Sequence, residues 1–132
     1  QPKLAAILPL RDMRASALQF RYLFVTDAEG LKVVDVTILD RPKLVEGALI
    51  PFTDAQKIYL ARTYAYVAAK AEGLAIVDIE RPEAPQLYQR FTANGALNDA
   101  RDVIVATTNA SLFAYVADGG NGLKVLQLTS PD

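Results

Sequence analysis

Three stretches of this chain are variations on one another, and that repetition limits the fold more than any other feature. Tyr22-Leu-Phe-Val25 precedes Gly30-Leu31-Lys32-Val33-Val34-Asp35-Val36. Tyr64-Ala-Tyr-Val67 precedes Gly73-Leu74-Ala75-Ile76-Val77-Asp78-Ile79, and Phe113-Ala-Tyr-Val116 precedes Gly122-Leu123-Lys124-Val125-Leu126-Gln127-Leu128. Gly30 to Gly73 is 43 positions and Gly73 to Gly122 is 49, close to the ~40–50 residues of a four-stranded propeller blade.

The match extends beyond this core. Pro2-Lys3-Leu4 returns as Pro42-Lys43-Leu44 and Pro85-Gln86-Leu87, each opening a strand-like run. Asp12, Asp54 and Asp99 then precede the runs Met13 to Leu18, Ile58 to Ala61 and Val103 to Ala106. Asp12 to Tyr22 and Asp54 to Tyr64 are both 10 residues, whereas Asp99 to Phe113 is 14. The third copy therefore carries an insertion near Thr107 to Ala110.

Every part reads as a strand. Aromatic and β-branched residues suit a pleated, half-buried surface, and no segment keeps apolar spacing at i, i+3, i+4 and i+7 long enough for a helix. Prolines 42, 51, 82 and 85 bound the runs, where a helix would break. The repeated glycine sits at a hairpin and supplies a positive φ. The expected fold is all-β: three four-stranded antiparallel repeats, approximately residues 1–37, 38–80 and 81–129, stacked as β-propeller blades within one segment spanning residues 1–132. One such sheet cannot bury both its faces; neighbouring sheets can. In this phase the chain starts on an outer strand, Leu4 to Leu10, and Thr129 to Asp132 leads towards another. The phase, and a start at Gln1 instead of Met, imply an arc of a larger ring, completed by more chain or by other copies.

The pattern Tyr-x-x-Val, a short turn, then Gly-Leu-x-Val-Val-Asp-Val resembles the LVIVD repeat, a β-propeller family. It stands here at Gly30 to Val36, at Gly73 to Ile79 and more loosely at Gly122 to Leu128, where Gln127 replaces the aspartate. The resemblance covers nearly the whole chain and implies a fold. It further implies an exported setting: extracellular, cell-surface or periplasmic. It names no reaction, since propellers host unrelated functions.

Composition narrows the chemistry. With 14 Lys and Arg against 15 Asp and Glu, the net charge is −1, without the basic excess of a nucleic-acid binder. No apolar run reaches the ~20 residues that span a bilayer, so neither nucleic acid nor membrane insertion is expected. The chain has no Cys and no His, which removes disulfides, thiolate sites and the commonest general base and metal ligand. Catalysis would rest on carboxylates, Lys, Tyr or Ser, and any metal would be a hard, oxygen-liganded ion.

Asp12, Asp54 and Asp99 share one repeat position, at the start of the innermost strand. In a propeller they line one mouth of the central channel. They form either a carboxylate ring for a cation or basic ligand, or Asx turns that hold the strand start. Asp35 and Asp78 are placed to bond backbone amides at the next turn, with calcium as the alternative. Asp118-Gly-Gly-Asn121-Gly122 has the look of a phosphate or calcium loop, but it lacks the Walker Lys-Ser/Thr and the spaced acids of an EF-hand. Arg101 and Asp102, beside Asp99 and after Asn94-Gly95 and Asn98, belong to the third copy alone and mark a candidate binding surface. Asn109-Ala-Ser111 fits a glycosylation triplet. No cofactor is expected. The reading is a non-enzymatic scaffold that holds a protein or glycan partner, or further blades. The alternative is a hydrolase- or lyase-type enzyme, or a calcium-binding propeller, acting through the channel carboxylates.

Overall fold

The computed structural model describes residues 1–108 and 111–128. Each repeat folds into its own antiparallel sheet. The first sheet holds β1 (Ala15–Gln19), β2 (Tyr22–Asp27), β3 (Gly30–Asp35), β4 (Lys43–Leu44) and β5 (Ile50–Pro51). The second runs β6 (Ile58–Ala61), β7 (Tyr64–Ala68), β8 (Leu74–Asp78) and β9 (Gln86–Phe91). The third has β10 (Asp102–Thr107), β11 (Leu112–Ala117) and β12 (Leu123–Gln127). Within each sheet consecutive strands pair, as short hairpin connections favour, except that β4 and β5 both pair with β3.

The strand starting at Pro-x-Leu always adds to the hairpin before it. Val34 pairs with Leu44 and Asp35 with Lys43; Val77 pairs with Leu87 and Asp78 with Gln86. In the first sheet this outer strand is broken into β4 and β5, both paired with β3. Pro51 is the last residue of β5 and so closes that strand. It sits on a sheet edge, where the missing N–H is tolerated.

Two expectations are corrected. Leu4 to Leu10 forms no strand: its counterparts β4 and β9 are strands by virtue of pairing with β3 and β8, and Leu4 to Leu10 pairs with no strand among the described residues. The third repeat shows three strands among the described residues, not four. The run from Thr129 to Asp132, which was to lead onward, lies outside those residues.

The sheets stack through two apolar interfaces. Between the first and second lie Phe24, Leu31, Val33, Phe52, Val67 and Val77, all buried. Between the second and third lie Tyr66, Leu74, Leu97, Val103, Val105 and Val116, also buried. Burying each large apolar side chain is worth ~2 kcal/mol, so the interfaces hold the three sheets in order. The inner strand β6 touches β1 on one side and β10 on the other, as first strands do when sheets radiate from an axis. The insertion of the third repeat falls in the β10–β11 turn, where Thr108 N–H donates to Ser111 O.

Gly73 shows why its position is glycine. Its φ is +77°, and a Cβ there would strike the backbone carbonyl of Phe91 on β9. Turn geometry and the close approach of the outer strand both exclude a side chain.

Candidate functional site

The connections leading into β1, β6 and β10 carry Asp12, Asp54 and Asp99, so all three lie at the same end of their sheets. Each already holds a cation. The Arg14 guanidinium donates to Asp54 Oδ1 at 2.8 Å, to Asp12 Oδ2 at 3.1 Å and to Ala55 O at 3.0 Å. Gln56 Nε2 donates to Asp54 Oδ1 at 2.8 Å. Arg14 belongs to the first sheet's start and Asp54 to the second's, so this pair ties two sheets at the mouth.

The third carboxylate repeats the device with other residues. Lys70, after β7, lies 3.3 Å from Asp99 Oδ1, and Arg101 donates to Asp99 Oδ2 at 2.9 Å. The Arg101 hydrogen bond, helped by Lys70, holds the Asp99 carboxyl below its ordinary value against the opposing effect of burial. An isolated bridge between Lys70 and Ala100 runs alongside. Asp102 is exposed and accepts from Val103 N–H at 2.9 Å. Asp12 and Asp54 therefore meet on Arg14, while Asp99 and Arg101 form a second group with Lys70.

Asp35 and Asp78 bond backbone at the next turn. Thr37 N–H and Oγ1 donate to Asp35 Oδ1 at 2.9 and 2.6 Å, and Glu80 N–H donates to Asp78 Oδ1 at 2.9 Å. The Thr37 hydroxyl and then its N–H lower the Asp35 carboxyl.

Two carboxylates escaped the sequence reading. Asp27 and Asp118 occupy the same repeat position, five residues after the tyrosine or phenylalanine, and both are fully buried. Asp27 Oδ1 accepts from Glu29 N–H at 2.8 Å and Gly30 N–H at 3.3 Å, and Oδ2 lies 2.9 Å from Lys32 Nζ. Burial alone raises its pKa, but the Lys32 bond and the two amides outweigh it and the net shift is down. Asp118 Oδ1 reaches over to the mouth loop, accepting from Asn98 N–H at 3.2 Å and Asp99 N–H at 2.7 Å. Asn121 Nδ2 donates to Asn98 Oδ1 at 2.9 Å. The glycine-rich loop is thus a clasp for the segment bearing Asn98, Asp99 and Arg101. The signal was present: aspartate at this position in two copies, with Ala69 in the other. Asn109 of the glycosylation triplet lies outside the described residues.

A second concavity lies at the opposite end of the strands. A groove of about 650 Å³ opens between the second and third sheets, lined by Arg62, Tyr64, Tyr88, Leu112 and Leu128 among others. The Tyr64 and Tyr88 rings are 5.7 Å apart and tilted. Among the described residues, no cluster of three or more acidic groups is arranged to hold a metal ion.

A family model described as LVIVD repeat matches residues 53–93 and 99–128, together more than half of the chain. The chain belongs to the LVIVD-repeat family. Both matches begin at or just before the mouth aspartate and run outward, and the first ends just after β9. The LVIVD unit thus coincides with one sheet read from the axis to the rim. A comparison with the curated proteins finds no match.

Proposed function

We propose that this LVIVD segment is a non-enzymatic binding scaffold that presents the mouth loop of its third sheet to a protein or glycan partner. The observation that carries the reading is the division of labour at the mouth. Asp12, Asp54 and Asp99 are engaged by Arg14, Lys70 and Arg101, so their charges hold sheets and loops together. Asp12 and Asp54 share Arg14, and Asp99 is held by Lys70 and Arg101, so all three carboxylates are committed to ion pairs within the fold. Asn94, Asn98, Arg101 and Asp102 stay exposed on a loop clasped from beneath by Asp118. Polar groups on a loop fixed by a rigid scaffold are a common arrangement for recognition.

The test is binding of the chain to peptide and glycan arrays, beside an Asn94→Ala/Arg101→Ala/Asp102→Ala variant. Selective binding that this variant loses while its unfolding temperature is unchanged supports the reading. Binding that persists in the variant contradicts it. We also propose an exported or cell-surface setting, and fractionation of cells carrying the tagged chain checks it.

A further inference from the structure

The outer edges of the first and second sheets are built differently. In the first sheet the outer strand is broken into β4 and β5, of 2 residues each. Lys43 stands on it, Pro42 precedes it and Pro51 ends it. The Pro51 carbonyl is taken by the Arg90 guanidinium at 3.1 Å. Short strands, charge and proline are the means by which sheet edges are kept from pairing with other chains.

The second sheet dispenses with most of them. Its outer strand β9 runs over 6 residues, Gln86–Phe91, with no proline, lysine or acid among them. A register shift between Ile76 and Val77 leaves Tyr88 unpaired. Such a bulge twists an edge at one point, and Gln89 to Phe91 beyond it pair in regular order. Apart from Leu87, every residue of β9 is exposed. The first and third sheets cover the two faces of the second, so its surroundings are defined on both sides. Only the edge is open. Among the described residues, no further strand and no backbone hydrogen bond from another segment meets it.

The ladder shows which backbone groups are free there. Ile79 N–H donates to Thr63 O, and Ala69 N–H donates to Gly73 O, so by antiparallel alternation Leu74, Ile76 and Asp78 turn towards β9. Their partners are Phe91, Gln89 and Gln86, which leaves the N–H and C=O of Leu87 and Arg90 aimed outward. The Arg90 side chain is committed elsewhere, 3.3 Å from Glu72 and over the Phe52 ring. Arg90 therefore offers the edge its backbone. Tyr88 and Phe91, 65% and 37% exposed, flank these groups. Unpaired N–H and C=O groups in a row are completed by a strand.

We propose that β9 is a docking edge for an extended segment of a partner protein, which adds to the second sheet as a further strand. Main-chain hydrogen bonds supply the affinity, and apolar side chains at alternate positions of the segment pack against Tyr88 and Phe91. This site lies on the rim, apart from the mouth loop. A second copy of the chain is the poorer occupant, because a β9–β9 pair brings two Arg90 residues to one joint.

The probe is an array of short linear peptides, with the strongest binder resynthesised and titrated against the chain in solution. Arg90→Pro deletes an outward N–H without taking a bond from the internal ladder, and Arg90→Ala gives the baseline for losing the side chain alone. The proline variant should bind about tenfold more weakly than the alanine variant, or worse, since a peptide carbonyl is left without its donor. Amide exchange on the unmodified chain keeps the test decisive if the proline variant does not fold. Bound peptide should slow exchange at Leu87 and Arg90 and leave the mouth loop, Asn94 to Asp102, unchanged. No peptide binding, equal affinity of the two variants, unslowed exchange at Leu87 and Arg90, or self-association of the chain through β9 would each overturn the proposal.

Discussion

The second and third sheets are built from the same repeat, yet one is finished and the other is not. Leu74 in β8 has β7 and β9 beside it and the third sheet above it. Leu123 holds the same place in β12 and is exposed, with no strand beyond β12 and no sheet over that face among the described residues. The lesson is that burial in a repeat protein belongs to the neighbour as much as to the residue. The same glycine-led strand is core in one copy and exposed in the next.

The largest effect expected from this contrast comes from truncating the two leucines. Leu74→Ala should destabilise the fold by about 2–5 kcal/mol through the cavity it leaves. Leu123→Ala, measured on dilute chain, should change stability by less than ~0.5 kcal/mol. Equal losses by chemical denaturation would break the comparison. Glycine gives the next test. Gly73→Ala meets both a positive φ and the Phe91 carbonyl and should cost more than ~2 kcal/mol, whereas Gly122→Ala meets the φ penalty alone, ~1 kcal/mol. Thermal melts of the two variants should therefore separate clearly.

Smaller effects concern the charges. Asp27→Ala leaves the Glu29 amide and the buried Gly30 amide without this acceptor and removes one partner of Lys32, an expected loss of ~2 kcal/mol. Because the folded pKa of Asp27 is lowered, its contribution is complete above the ordinary carboxylate range and is lost as pH falls through the folded value. Denaturation midpoints should therefore drop in acid below about pH 4, and Asp27→Asn should flatten that dependence. Arg14→Ala removes a partly exposed tie between sheets and should cost under ~1 kcal/mol, falling further in high salt.

Much of the fold was legible because hairpins are local. Tyr64 to Asp78 announces both strands and the turn between them, and Gly73 marks the turn for a reason visible in one residue type. The mouth was half legible. The shared position of Asp12, Asp54 and Asp99 came from the repeat, but their cations did not. Arg14 lies 40 residues from Asp54 and Lys70 lies 29 from Asp99, and nothing in local pattern announces a pair so far apart. Leu4 to Leu10 was misread for a related reason. Its composition is that of an outer strand, but such a strand exists only on a partner's edge. Asp118 sits in a glycine-rich loop that fits no known binding motif, and only its agreement with Asp27 signals the buried role that both have.

Amide hydrogen exchange tests most directly whether three equal sheets differ only in their neighbours. Leu128 N–H donates back to Leu112 O on β11, so by antiparallel alternation the amides of Leu123, Val125 and Gln127 face the free edge. Their counterparts at Leu74, Ile76 and Asp78 face β9. In dilute chain, the first three amides should exchange rapidly and the second three slowly. Equal protection of both sets, or fast exchange throughout β8, would contradict the account.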